Sequence, residues 1–198
     1  MYTDKDTLNY APLYKELFTK LPESPRILEV GVYCGDSLRM WKEWFPESVI
    51  CGVEKYTEFK QLWPHDIPVV VTDQCDQALA ARVLFYSNDG YDMVIDDASH
   101  FGMLSAETFR LLWPVVRPGG WYVLEDWTVG LPVSPHYPNF GGISMLQLAQ
   151  EFITNLRPST SIHDMGKHVE EAGDVDSVVE LRYIYGMACI KKQGIHES

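Results

Sequence analysis

Tyr91-Asp92-Met93-Val94-Ile95-Asp96-Asp97-Ala98-Ser99-His100 is the stretch on which the reading of the whole chain turns. Met93-Val94-Ile95 is a short apolar run of the kind that forms a strand buried on both faces. It stops in two carboxylates, Asp96 and Asp97, and His100 follows three residues after the second. A buried strand ending in Asp-Asp sets both charges at its C-terminal lip, where open α/β sheets bind ligands. Asp97 and His100 are about one turn apart, so their side chains can face one site. The plainer reading is a solvated turn and a helix N-cap, since Asp and Ser favour both. A second stretch weighs against it. Pro118-Gly119-Gly120-Trp121-Tyr122-Val123-Leu124-Glu125-Asp126 is another turn, buried strand and acidic pair. Two such strands converge four acids and a histidine on one sheet edge. Like charges so close repel unless they are solvated or neutralised by a cation. Oxygen ligands of this kind suit Mg²⁺ or another hard divalent ion.

Outward from these two stretches the chain alternates strands and helices. Asp6 or Thr7 caps a predicted helix to about Thr19, with Tyr10, Leu13, Tyr14, Leu17 and Phe18 as its apolar stripe. Strands are predicted over Arg26–Gly31, Val49–Glu54, Ile67–Thr72 and Trp121–Leu124. Helices are predicted from about Asp36 (with Asp36 or Ser37 as cap) to Phe45, from the Asp73–Asp76 turn to Tyr86, and from Met103 to Val116. Trp127 to Gly142, with three prolines and three glycines, reads as a long loop over the strand ends, either a lid or a packed surface loop. A helix over about Ile143–Leu156 and a polar connection from Gly166 to Asp176 precede two strands, Val178–Tyr185 and Met187–Lys192, joined as an antiparallel hairpin. The fold expected is α/β, a Rossmann-like, doubly wound, mostly parallel seven-stranded sheet with an antiparallel C-terminal hairpin, in one domain over residues 1–198.

Composition narrows the function. The 198 residues are 46% hydrophobic and 22% charged, ordinary for a soluble globular domain. A net charge of −12 disfavours a nucleic-acid partner, which needs Lys and Arg on its phosphates. Cys34, Cys51, Cys75 and Cys189 are scattered without a C-x-x-C pair, so small core residues are expected rather than zinc or disulfides. The polar N-terminus has no signal-peptide core and no run is long enough to cross a bilayer, so a cytoplasmic location without a membrane partner is expected.

Glu29-Val30-Gly31-Val32-Tyr33-Cys34-Gly35 lies between the first strand and the helix after it, the usual ligand position in this architecture. It lacks the closely spaced glycines of a dinucleotide fingerprint, and no P-loop is present. Glu54 ends the second strand, where nucleoside-binding sheets keep an acceptor for ribose hydroxyls. Simple turn chemistry also accounts for Gly31 and Gly35.

Glu29-Val30-Gly31…Gly35, Glu54 and Asp73 together resemble the cofactor motifs of class I S-adenosylmethionine-dependent methyltransferases. More narrowly, Thr3-Asp4-Lys5, Asp73-Gln74-x-Asp76, Asp96-Asp97-Ala98-Ser99-His100 and Leu124-Glu125-Asp126 are similar to the Mg²⁺-dependent macrolide and sugar O-methyltransferases and to the cephalosporin hydroxylase/rhamnosyl O-methyltransferase-like group. Ala98 stands where glycine is common. The resemblance implies S-adenosylmethionine and Mg²⁺ as cofactors. Glu29, Gly31, Tyr33, Gly35 and Ser37 would surround the amino-acid part of the cofactor, Glu54 its ribose, and Asp73 and Gln74 its adenine. Asp96 would contact the cofactor or stand behind the site. Asp97, Glu125 and Asp126 would ligate the metal, and His100 would be the general base. The implied reaction is methylation of a hydroxyl on a sugar or sugar-containing small molecule, with a diol-bearing sugar chelated by the metal as the expected acceptor. The alternatives are a catechol- or phenol-directed O-methyltransferase and a non-catalytic S-adenosylmethionine-binding protein. No counterpart of the N-terminal auxiliary region of the larger macrolide enzymes is expected, and homo-oligomer formation stays open. His65, His136, His163, His168 and His196 are expected at the surface.

Overall fold

The structure is a computed structural model and describes Lys5 and residues 8–128, 147, 148, 150, 178–184 and 186–194. The predicted cap at Asp6 or Thr7, most of the loop after Trp127, most of the helix predicted over 143–156 and the connection 166–176 lie outside the described residues.

Helix α1 spans Ala11–Phe18 and carries Pro12 in its first turn, where a missing N–H costs nothing. Its buried side is the predicted stripe of Leu13, Tyr14, Leu17 and Phe18. Then follow β1 (Ile27–Val30), α2 (Asp36–Trp44), β2 (Ile50–Glu54), a 3₁₀ turn (Lys60–Leu62), β3 (Val69–Val71) and α3 (Leu79–Ser87). The second half has β4 (Tyr91–Asp96), α4 (Gly102–Leu112), a 3₁₀ turn (Trp113–Val115), β5 (Val116–Leu124), β6 (Val178–Ile184) and β7 (Met187–Lys192). The seven strands form one sheet in the order β3-β2-β1-β4-β5-β7-β6. The first five pair in parallel, and β7 runs antiparallel to both β5 and β6. This is the doubly wound sheet with a closing hairpin that the alternation implies.

Several boundaries differ from the sequence reading. The first helix, expected from a cap at Asp6 or Thr7, begins at Ala11 with Tyr10 as its cap residue. The helix expected to reach Val116 ends at Leu112, because Pro114 cannot continue its hydrogen bonding and a 3₁₀ turn finishes it. Strand β5 starts at Val116 rather than Trp121, since Val116 already pairs with Tyr91 and a register shift between Tyr91 and Met93 absorbs Pro118-Gly119-Gly120. Neither Asp36 nor Ser37 caps α2: the cap residue is Gly35, at φ +79°.

The pleat sends alternate residues to opposite faces. Leu28, Val30, Val94, Tyr122 and Leu124 enter one core. Ile27, Met93, Ile95, Trp121 and Val123 enter the other, against Tyr14 of α1 and Trp41 of α2. Cys51 and Cys189 are buried in strands, whereas Cys34 and Cys75 are part-exposed; all four thiols are free. Among the described residues no helix is long and apolar enough to cross a membrane. Strand order reverses between β1 and β4, which opens a crevice at their C-terminal ends.

Candidate active site

The ladder continues one residue beyond the strand ends at that crevice. Gly31 N–H donates to the Val53 carbonyl at 2.9 Å, Asp97 N–H to Val30 at 2.9 Å, and Glu125 N–H to Asp96 at 3.0 Å. Gly31, Asp97 and Glu125 therefore form a row along the lip. Because Glu29 pairs with Ile95, and Ile95 with Val123, the side chains of Glu29, Asp97 and Glu125 share one face. Asp96 must then point to the other. It is buried there, accepts a hydrogen bond from the Tyr122 hydroxyl at 3.1 Å, and burial pushes its carboxyl up to about 6. The expected convergence of four acids is thus a convergence of three, Asp97, Glu125 and Asp126: Asp96 still lies in β4 and obeys its alternation, whereas Asp126 lies beyond the end of β5 and turns back with φ +53°.

At the centre of the shared face lies a lysine. The Lys5 ammonium, fully buried, is 2.7 Å from Glu125 Oε1, 2.9 Å from Asp97 Oδ2 and 3.3 Å from Glu29 Oε1. Burial opposes its charge, but the carboxylates of Glu125, Asp97 and Glu29 outweigh that penalty and hold it well above the ordinary lysine range. Glu125 Oε1 also accepts from the Tyr14 hydroxyl. Burial drives the Glu125 carboxyl upward, with Lys5 pulling the opposite way. Glu29 is completed by Trp41, whose indole Nε1–H donates to Oε2 at 3.0 Å.

Nearer solvent, His100 Nε2 is 3.8 Å from both Asp97 Oδ1 and Asp126 Oδ2. One ligand atom from each of Asp97, His100 and Asp126 falls within 4.8 Å of the others, a spread that one divalent ion can gather with small side-chain adjustments. His100 and Asp126 reach these positions with φ of +56° and +53°, a left-handed backbone that non-glycine residues adopt uncommonly and often at functional sites. Glu125 stands behind this trio, engaged by Lys5 and Tyr14.

The trio opens into a cleft of about 940 Å³. Of the predicted cofactor residues, Gly31, Tyr33, Ser37, Glu54, Asp73 and Gln74 line it, whereas Glu29, Gly35 and Asp96 lie behind its wall. Glu54 shapes that wall: its Oε2 accepts from the N–H groups of Val32 (3.0 Å) and Tyr33 (2.9 Å), and its Oε1 from Tyr56 N–H at 2.9 Å. The Cys75 N–H and the Lys55 ammonium hold the Asp73 carboxyl below its usual range. Gln74 donates to the Thr108 hydroxyl at 2.9 Å. His65 is exposed, as expected, and the other four surface-assigned histidines fall outside the described residues.

No family model matches the chain. The demethylmacrocin O-methyltransferase of Streptomyces fradiae is 32% identical over 205 residues, 92% of this chain and 48% of that enzyme. The mycinamicin VI 2''-O-methyltransferase of Micromonospora griseorubida is 33% identical over 183 residues, 84% of this chain and 43% of that enzyme. The MycE methyltransferase of mycinamycin biosynthesis, solved with Mg and SAH, superimposes with a TM-score of 0.71 at 30% identity, over 94% of this chain and 49% of that one. The chain is a homologue of the macrolide and sugar O-methyltransferases. It spans less than half the length of the curated relatives it matches. TomG, an O-methyltransferase from Streptomyces achromogenes, has a TM-score of 0.63 at 15% identity, a likeness of fold alone.

Within this fold Gly31 joins the Glu54 wall of the cleft to the carboxylate row. Its φ is +95°, and a Cβ there would stand 2.1 Å from the Asp97 carbonyl oxygen. Gly31→Ala is therefore expected to cost at least about 2 kcal/mol in urea denaturation, from backbone strain and forced displacement of the 97–98 turn. An unchanged unfolding midpoint would break the proposed tie. Lys5, Tyr10 and Tyr14 are the site residues that the sequence reading did not assign. Lys5 belongs to the Thr3-Asp4-Lys5 stretch that carries the family resemblance, and this was its one signal; the tyrosines were read as core stripe.

Proposed function

We propose that this chain catalyses S-adenosylmethionine-dependent, Mg²⁺-assisted methylation of a hydroxyl on a sugar or sugar-bearing small molecule. The observation that carries the reading is the meeting of a large cleft walled by Glu54, Asp73 and Gln74 with the Asp97–His100–Asp126 cluster at the switch point of the sheet. The homologues support the acceptor class, since several are named as O-methyltransferases of rhamnosyl or olivosyl compounds. Magnesium and SAH in the MycE complex support the cofactors.

The residues present suit both groups. Carboxylate oxygens and an imidazole in a part-exposed cluster are a donor set that a hard divalent ion accepts. The Glu54 carboxylate, pinned by three backbone N–H groups, keeps acceptor capacity for ribose hydroxyls. When bound, S-adenosylmethionine supplies a methyl group activated by its sulfonium, and Mg²⁺ supplies the Lewis acidity that makes an aliphatic hydroxyl easier to ionise. Gly31, Tyr33 and Ser37 border the amino-acid end of the cofactor, with Glu29 acting from behind through Lys5 and Trp41. Asp73 and Gln74 border the adenine. Asp97, Asp126 and Glu125 would hold the metal, Glu125 from the buried end of the carboxylate row. Nε2 of His100 takes the acceptor proton, a role an imidazole fills at neutral pH.

His100→Ala is expected to lower turnover about 100-fold or more while Mg²⁺ and S-adenosylmethionine affinities, measured by calorimetry, stay near wild type. The 4.8 Å grouping also favours a second reading, in which His100 is itself a metal ligand. Parallel loss of Mg²⁺ affinity in His100→Ala selects that reading and removes the base assignment. Acceptor identity is tested by offering glycosylated and unglycosylated hydroxyl compounds with S-adenosylmethionine and Mg²⁺, and following gain of one methyl by mass spectrometry. Methylation in EDTA at the same rate overturns the metal-assisted reading.

A further inference from the structure

We propose that the N-terminal segment positions the metal site by dividing the oxygens of its carboxylates. Lys5 and Tyr10 each bind one oxygen of a cleft-lining carboxylate and turn the other oxygen toward the metal. The inference rests on the Mg²⁺ reading above and adds residues to it that touch no reacting atom.

The partition is visible on two carboxylates from two different strands. In Asp97, Oδ2 is bound by Lys5 at 2.9 Å and Oδ1 faces His100 at 3.8 Å. In Asp126, Oδ1 accepts from the Tyr10 hydroxyl at 2.7 Å and Oδ2 faces His100 at 3.8 Å. Glu125, the deeper third acid, has its Oε1 held by both Lys5 and Tyr14. Every acid of the predicted ligand set is thus gripped from the same side, by side chains of one short stretch of chain, and the two that reach the cleft present their remaining oxygens to the same imidazole.

The gripping groups are themselves held. Tyr10 N–H donates to the Lys5 carbonyl at 2.8 Å, so the two donors move together. The Tyr10 hydroxyl lies against Gly186 in the β6–β7 turn, where a Cβ would come within 2.3 Å of it. That turn is tied back beside Asp126, because Trp127 N–H donates to the Gly186 carbonyl at 3.1 Å. Tyr14 is wedged edge-on to Trp41 at 4.8 Å, and Trp41 holds Glu29, the third carboxylate on Lys5. A hydroxyl fixed this way removes rotational freedom from the carboxylate that it binds. Partners behind a ligand typically contribute about 10–100-fold to metal affinity. The placement of charge has a second consequence. Lys5 neutralises the buried side of the cluster, so an added cation is drawn to the His100 side.

The test is Mn²⁺ binding to the cofactor-free 198-residue chain, followed by the loss of the free-ion electron paramagnetic resonance signal, in wild type, Tyr10→Phe and Tyr14→Phe. Each substitution keeps the ring and removes only the hydroxyl. Tyr10→Phe is expected to weaken Mn²⁺ at least about tenfold, with a wild-type melting temperature to within a few degrees and unchanged S-adenosylmethionine affinity. Tyr14→Phe, acting on the deeper acid, is expected to weaken it less. Wild-type Mn²⁺ affinity in both variants overturns the positioning role and leaves the metal site standing. Equal losses of melting temperature, cofactor affinity and metal affinity also overturn it, by showing a structural role. A wild-type chain that binds no Mn²⁺ removes the metal reading itself, and this inference with it.

Discussion

Asp126→Ala is expected to lower methyl transfer by about 1,000-fold or more, roughly 4 kcal/mol of barrier, while S-adenosylmethionine affinity stays within a factor of about three. Asp126 is the first residue off the lip whose carboxylate reaches the cleft from β5, with one oxygen toward His100 and the other on Tyr10. Its removal takes away a charge aimed at the metal position and releases the Tyr10 hydroxyl. The part of the cleft proposed to hold the cofactor is built by different strands, from Glu54 at the end of β2 and from Asp73 and Gln74 after β3. That separation is why binding and turnover should part company. A variant that turns over at the wild-type rate would remove Asp126 from the site.

Lys5→Ala is expected to produce the largest loss of stability. It leaves Glu29, Asp97 and Glu125 facing one another without their common counter-ion, in a region where Lys5, Glu29 and Glu125 are all buried. Breaking a buried ion pair by removing one partner costs about 3–5 kcal/mol, because the remaining charge is left buried without its counter-ion. For a chain of this size that lowers the melting temperature by roughly 10 °C. Adding Glu125→Gln to Lys5→Ala should restore part of the loss, since the two groups are coupled. Thermal unfolding of the single and double variants checks both statements. A Lys5→Ala protein as stable as wild type would mean that the ammonium does not hold the cluster together.

The sheet was legible because its strands advertise themselves. Ile27–Val30, Ile50–Glu54 and Tyr91–Asp96 are apolar runs that stop in glycine or an acid, and the hairpin around Gly186 is two β-rich runs with one turn. The lip was legible for the same reason: Glu54, Asp97 and Asp126 mark where burial ends. What escaped was orientation and distance. Asp96 and Asp97 were read as a pair, yet a strand sends neighbours to opposite faces, and applying that alternation to the doublet would have separated them. Lys5 sits in a polar stretch that reads as solvated, and only tertiary packing carries it to Glu29, Asp97 and Glu125. The left-handed backbone of His100 and Asp126 has no signature in residues tolerated in many conformations. Gly31 was legible as a turn residue, but its close approach to Asp97 depends on the register of β1 against β4.

The most direct measurement is calorimetric titration of S-adenosylmethionine and then Mg²⁺ into the folded wild-type chain and into Asp97→Ala. The expected result is cofactor binding by both proteins and a Mg²⁺ signal in the wild type alone. Cofactor binding with no Mg²⁺ signal in either protein would make the carboxylate row structural. Failure of the wild type to bind S-adenosylmethionine at all would contradict the assignment of the cleft and the function proposed from it.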